Sequence, residues 1–169
     1  MLVSSLKSQS GVGLMEVLVS MLVLAIGVFG FIALQARATT ATAEALKRSD
    51  AQLILQGLAE RMRLNAAGDY KVAAAEKDCM TSSCSANDQA IADLKFFSDQ
   101  AAKKSMTIHV IDCPKTSSQQ RRLCLIAVWD KTTTAIASEP TDGNPSTACL
   151  IQDSSKYQDG ATCLLMEAY

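Results

Sequence analysis

Six cysteines, a single histidine and one carboxylate at the edge of an apolar run are the residues of this chain whose types and spacing could do chemistry. The cysteines are Cys79, Cys84, Cys113, Cys124, Cys149 and Cys163, all beyond the hydrophobic N-terminal segment. An even count in a small exported domain points to structural disulfides and an oxidising compartment. Metal binding is the rival reading, and it is poorly supplied with ligands. There is no Cys-x-x-Cys pair, and His109 is the only histidine. Six cysteines permit fifteen pairings. Sequential neighbours are favoured: Cys79–Cys84 closing a small loop, Cys113–Cys124 bridging a hairpin loop, and Cys149–Cys163 pinning the terminal loop.

His109 falls on the outer face of an alternating strand, with no serine or cysteine placed beside it as a nucleophile. There is no glycine-rich phosphate loop, no paired-carboxylate motif and no metal signature. Asp142-Gly143-Asn144 lacks the ligand count for calcium and reads as a turn. The expectation is a protein that is not an enzyme and needs no cofactor or metal. A formal net charge of −1, with no basic tail or acidic block, gives no reason to infer direct nucleic-acid binding.

The carboxylate is Glu16. Before it, Met1–Gly11 is polar, with one positive charge at Lys7. After it, Val17–Leu34 is apolar apart from Ser20, about 18 residues and near the lower limit for a membrane span, and Leu14 and Met15 extend it. Three readings compete. A secretory signal would use Lys7 as its basic region and Ala36-Arg37-Ala38 as its small-x-small cleavage site. Glu16 inside the run, and the length of the run, count against that. A plain uncleaved anchor would leave Glu16 as an interfacial residue. The third reading takes Glu16 as functional, because a carboxylate at the edge of a spanning helix costs a few kcal/mol to bury unless it is paired.

The local sequence is Gly11-Val12-Gly13-Leu14-Met15-Glu16-Val17-Leu18-Val19, a glycine followed five positions later by a glutamate that opens the apolar helix. This resembles the type III signal of prepilins, which a prepilin peptidase cuts after the glycine. The resemblance implies cleavage between Gly11 and Val12, and N-methylation of the freed Val12 amine by the same peptidase. Glu16, then fifth, would neutralise a neighbouring subunit's amine during assembly. A carboxylate and an ammonium that leave water together lose less than either would alone. Cleavage after Gly13 would put Glu16 third. Val12 stands where Phe or Met is commoner in that family, and Gly13 where Thr is common.

These groups must be positioned by a long helix. Gln35–Asn65 has no proline and is rich in Ala, Leu, Glu, Lys and Arg, which favour helix. Ala51, Leu55, Leu58 and Met62 mark one apolar face, widened by Ile54, while Lys47, Arg48, Asp50, Glu60 and Arg61 take the wetter sides. One helix from Val12 to about Ala67 would measure on the order of 80 Å, with Gly68 and Asp69 stopping it. Gly27 and Gly30 would either let its first half bend or allow close helix packing.

Gly13–Val19, Leu24-Ala25-Ile26-Gly27-Val28-Phe29-Gly30 and Leu34-Gln35 together resemble the PilV family of type IV pilus minor pilins (type IV pilus modification proteins), within the type IV pilin-like superfamily. Arg61-Met62-Arg63-Leu64-Asn65 is similar to that family's Met-Arg-x-Asn signature, and Asp93-Leu94-x-x-Phe97 to its Asp-Leu-x-x-Trp. On the residues alone, Arg61–Asn65 also reads as a basic helix C-terminus favoured by the macrodipole.

Beyond the helix, Ser85 with Asp88 reads as a helix cap, followed by an Ala90, Leu94, Phe97, Ala101 stripe. Met106–Ile111 and Leu123–Trp129 alternate and read as an antiparallel hairpin. Glu139–Thr147, with Pro140 and Pro145, is a turn cluster, and Cys163–Met166 a last strand. The expected fold is α+β and pilin-like: a long N-terminal α-helix packed on a small antiparallel β-sheet head. Its parts would be a leader at 1–11, a transmembrane and filament-core helix at 12–34, its amphipathic continuation at 35–67, and a disulfide-containing head at 68–169.

The resemblance implies a minor pilin that primes pilus assembly or joins the tip complex, supporting twitching, adhesion or DNA uptake. Its partners would be other minor pilins, the major pilin, the prepilin peptidase, the inner membrane and the pilus assembly machinery. It would sit in the inner membrane with its head in the periplasm, then in the filament or tip. A type II secretion minor pseudopilin is the near alternative. A secreted disulfide-bonded binding domain with an ordinary signal peptide is the alternative from another class.

Overall fold

The apolar run and the amphipathic run that follows it form one continuous helix, α1, spanning Leu14–Leu64 over 51 residues in the computed structural model. The structure describes residues 13–116, 122–137, 147–151 and 156–168. The leader with Lys7, the proposed cut between Gly11 and Val12, and the turn around Pro140, Asp142-Gly143-Asn144 and Pro145 lie outside the described residues. The chain divides into two units, Met1–Glu44 and Ala45–Tyr169.

In the first unit every described residue before Glu44 is exposed. Leu14, Leu18, Leu22, Phe29 and Leu34 all present more than half of their surface. A helix that is apolar all round satisfies its backbone internally and leaves its side chains to the surroundings. Its polar side chains also turn inward to the backbone. The Ser20 hydroxyl donates to the Val17 carbonyl at 2.8 Å, and those of Thr40 and Thr42 to the Ala36 and Ala38 carbonyls at 3.0 and 2.8 Å. The helix runs unbroken through Gly27 and Gly30, and a Cβ at either would meet nothing within 4 Å. Within this chain, then, neither glycine is required by a close contact.

In the second unit the rest of α1 buries Ala51, Leu55, Leu58, Ala59 and Met62, the face marked by the sequence spacing. The helix ends at Leu64, three residues short of Ala67. The Asn65 N–H still bonds the Arg61 carbonyl at 3.0 Å, but the next bond is a turn from the Gly68 N–H to the Asn65 carbonyl. Helix α2 spans Ala86–Lys103 and begins as its cap residues dictate. The Ser85 hydroxyl oxygen accepts from the Asp88 N–H and donates to the Asp88 carboxylate at 2.8 Å. The Lys77 ammonium, 2.7 Å away, is the larger reason that the Asp88 carboxyl is held below the usual carboxylate range, and the Ser85 hydroxyl the next.

Strands β1 (Met106–Asp112), β2 (Leu123–Trp129) and β5 (Cys163–Glu167) form an antiparallel sheet in the order β1-β2-β5. Met106 pairs with Trp129 and Asp112 with Leu123, the expected hairpin. Met106, Ile108, Leu125, Ala127 and Trp129 face a core shared with α1 and with Ala90, Leu94 and Ala101 of α2. The long helix thus packs on a small antiparallel sheet, the α+β arrangement expected from the sequence. One element was not expected. Strands β3 (Thr133–Ala137) and β4 (Ala148–Ile151) make a second, parallel pair. Ile126 and Val128 of β2 pack with Cys149, Leu150 and Cys163 in a separate cluster. Strand β2 is therefore buried on both faces, where its alternation alone suggested one.

Candidate assembly site

Glu16 occupies the first turn of α1, where its charge complements the positive end of the helix dipole. The Gly13 carbonyl accepts from the Glu16 and Val17 N–H groups at 2.9 and 3.3 Å, so the helix opens at the position of the glycine. Glu16 is exposed, and so are its neighbours Leu14, Met15, Val17 and Leu18. Among the described residues this carboxylate, in its apolar setting, forms no ion pair. In a dry environment it would need one from outside its own helix. Gly11 and Val12, the cleavage and methylation positions, fall outside the described residues, so the pairing of Glu16 with a Val12 amine remains an expectation.

The cysteines form three disulfides: Cys79–Cys84, Cys113–Cys124 and Cys149–Cys163. Their placement differs. Cys149 and Cys163 are fully buried and tie β4 to β5, while Cys113 and Cys124 join the two strands of the hairpin at its loop end. Cys79 and Cys84 close an exposed loop in which Asp78 accepts from the Thr81 hydroxyl and from the N–H groups of Met80 and Thr81. Those bonds, the hydroxyl first, hold the Asp78 carboxyl below its ordinary value. His109 is exposed on β1. Among the described residues no group of three or more His, Cys, Asp or Glu side chains could hold a metal ion.

Sequence reasoning missed how α1 is joined to α2. Tyr70, 1% exposed, donates its hydroxyl to the Asp93 carboxylate at 2.9 Å, and the Gln89 amide donates to the other Asp93 oxygen at 3.0 Å. The Asn65 amide donates to the Tyr70 hydroxyl at 3.3 Å and to the Ala86 carbonyl at 2.8 Å. Asn65 closes the Arg61–Asn65 segment and Asp93 opens the Asp93–Phe97 segment, so Tyr70 connects two segments separated in the chain. A buried carboxylate is tolerated because its oxygens are bonded. The available signal was an aspartate on the apolar side of α2, next to Leu94, where a charged residue needs a partner.

Gly68 sits at the same junction. A Cβ there would lie 2.5 Å from the Asn65 Nδ2, 2.8 Å from the Ala86 carbonyl oxygen and 3.0 Å from the Ala90 Cβ. Backbone cannot move aside as a side-chain tip can. Gly68→Ala is expected to destabilise the protein by about 2 kcal/mol, the ordinary cost of overpacking, read as a lower denaturant midpoint. An unchanged midpoint would show that the junction has slack.

Residues 33–95 match a family model, Tt1218-like, described as Type IV pilin Tt1218. No curated protein and no solved structure matches the chain. The matched stretch runs from the apolar part of α1 into α2 and contains Asn65, Tyr70 and Asp93. This partial, distant match supports the type IV pilin-like superfamily in general, and the helix-on-sheet fold agrees with it. Helix α1 is long and apolar enough to cross a membrane, a property that a signal sequence near an N-terminus shares.

Proposed function

We propose that this chain is a minor pilin of a type IV pilus, of the kind resembling PilV, and that it acts by assembly rather than by catalysis. The observation that carries the reading is the continuity of α1. Its first part is apolar on all sides and opens with Glu16, and its later part belongs to the core of a disulfide-bonded head. A secreted domain with an ordinary signal peptide would discard the apolar part and keep only the later one. A subunit that waits in a membrane and then enters a filament uses both parts.

In this reading Met1–Gly11 is a leader removed by the prepilin peptidase, and Val12 becomes an N-methylated first residue. Glu16 pairs with the amine of a neighbouring pilin. The subunit waits in the inner membrane with its head in the periplasm, where an oxidising compartment allows the three disulfides to form. The assembly machinery then moves it, with other minor pilins, into a priming or tip complex that starts polymerisation of the major pilin, in support of twitching, adhesion or DNA uptake.

Loss of the chain is expected to reduce surface pili and twitching, with full restoration by the intact gene. Crosslinking in the membrane is expected to recover pilus subunits. Recovery of type II secretion pseudopilins instead, with normal pilus number in the deletion, would reassign the chain to secretion.

A further inference from the structure

Strand β1 is an edge of the three-stranded sheet. The Cys113 N–H donates to the Arg122 carbonyl at 2.9 Å, which fixes the phase of the ladder. Thr107, His109 and Ile111 therefore turn their backbone groups to β2, and Ile108 and Val110 turn theirs to the open side. Among the described residues no other backbone group bonds to them there. Ile108 is itself buried, where an unpaired N–H or C=O costs about as much as a lost hydrogen bond. The opposite edge of the sheet differs: the Leu165 N–H of β5 donates to the Tyr157 hydroxyl at 3.1 Å.

The open side of β1 faces the chain between α1 and α2. A cavity of about 310 Å³ is walled by Val72, Ala73 and Ala74, by Ile108 and Val110, and by Leu94 of α2. Ala73–Lys77 belongs to no helix or strand, and among the described residues none of its backbone groups forms a hydrogen bond with another. Two unbonded stretches of backbone thus border one cavity, and their direction and phase agree. Lys71 pairs with Asp112, the last residue of β1, at 3.0 Å, so the segment after Lys71 starts at the far end of β1 and runs back along it, antiparallel. Val72 and Val110 pack on the same core. With a side-chain period of two, Ala74 takes that same face, opposite Ile108. Ala73, Ala74 and Ala75 are exposed, so a shift of their backbone uncovers no core. Alanine is also a poor strand former, which keeps such a pairing weak enough to reverse.

We propose that Val72–Ala75 is a strap that closes on β1 as a fourth, antiparallel strand, and that the structure holds it open. In the closed form the Val110 N–H donates to the Val72 carbonyl, the Ile108 N–H to the Ala74 carbonyl, and the Ala74 N–H to the Ile108 carbonyl. The strap sets whether β1 offers a free edge, on which another chain's strand can pair, or a covered one. All of these groups lie in the second unit, so the strap does not depend on what α1 does in a membrane.

The test is saturation-transfer NMR on the full, disulfide-bonded chain in detergent micelles, which detects a minor state exchanging on the microsecond-to-millisecond scale and slower. A second state with a downfield proton shift is expected at the amides of Ala74, Ile108 and Val110, with one common exchange rate. Ala73, whose N–H points away from β1 in the closed form, is expected to show no downfield proton shift. Ala74→Pro removes a donor and is expected to abolish the second state at Ile108 and Val110. Ala73→Pro is the matched control. Its missing N–H faces away from β1 and it holds Val72 extended, so the second state is expected to persist. Both alanines are exposed and outside α1 and α2, so the head folds in either variant.

Absence of a second state at Ile108 and Val110 overturns the strap. So does a second state there that survives Ala74→Pro, and one that also grows with protein concentration assigns the strand on β1 to a second copy of the chain.

Discussion

Replacing Cys149 and Cys163 together by alanine is expected to lower the stability of the head by about 3 kcal/mol, measured as a shift in guanidinium midpoint under non-reducing conditions. The bond closes a loop with a sequence separation of 14, for which chain entropy in the unfolded state predicts a cost of that size. Both cysteines also lie in the cluster with Ile126, Val128 and Leu150, so the sulfurs leave lost packing behind. The same change at Cys79 and Cys84 is expected to cost less. That loop has a separation of only 5 and is exposed, so its loss loosens the Asp78–Cys84 turn and leaves the core in place. If the two double replacements shifted the midpoint equally, the second cluster would not be the part of the head that depends on its disulfide.

The second large effect is expected at Glu16. Glu16→Ala should leave processing intact and lower incorporation into filaments on the order of a hundredfold, because removing one member of a buried ion pair costs about 3 kcal/mol or more. The helix itself should not suffer. Glu16 is exposed in the first turn, and alanine is the better helix former. Glu16→Gln separates charge from shape: it keeps the length and a hydrogen bond and loses the charge. Counting filament-borne subunits against membrane-borne subunits by immunoblot reads the ratio directly. Normal incorporation of Glu16→Gln would reject pairing with an amine, and normal incorporation of Glu16→Ala would reject any assembly role.

What the sequence made legible follows from the range over which each signal acts. Ser85 and Asp88 sit three residues apart, and the Ala90, Leu94, Phe97, Ala101 stripe repeats within a single helix, so both are written locally and both appear in α2. The hairpin and the face of α1 through Ala51, Leu55, Leu58 and Met62 were readable for the same reason. The β3–β4 pair was not. Thr133–Ala137 and Ala148–Ile151 are short, and parallel pairing has no turn signature linking the two strands. Nor could spacing show that Asn65, Tyr70 and Asp93 meet, since that contact depends on how two helices pack. Gly68 was read as a stop signal, and the stop is real. Its larger reason, the approach of the Ala86 carbonyl, exists only in three dimensions. At the candidate assembly site the type and spacing of Gly11 and Glu16 were legible, whereas the proposed pairing of Glu16 would lie between molecules, where no single chain displays it.

The central claim is that α1 is the processed, polymerising helix of a pilin. The most direct measurement is the N-terminus of the mature protein, by mass spectrometry of the chain recovered from membranes and from sheared filaments. The account predicts a chain that begins at Val12 and carries one methyl group on its amine, with Glu16 as its fifth residue. A chain beginning at Thr39, after Ala36-Arg37-Ala38, would contradict it: the apolar helix would then be a discarded signal, and the head a secreted domain.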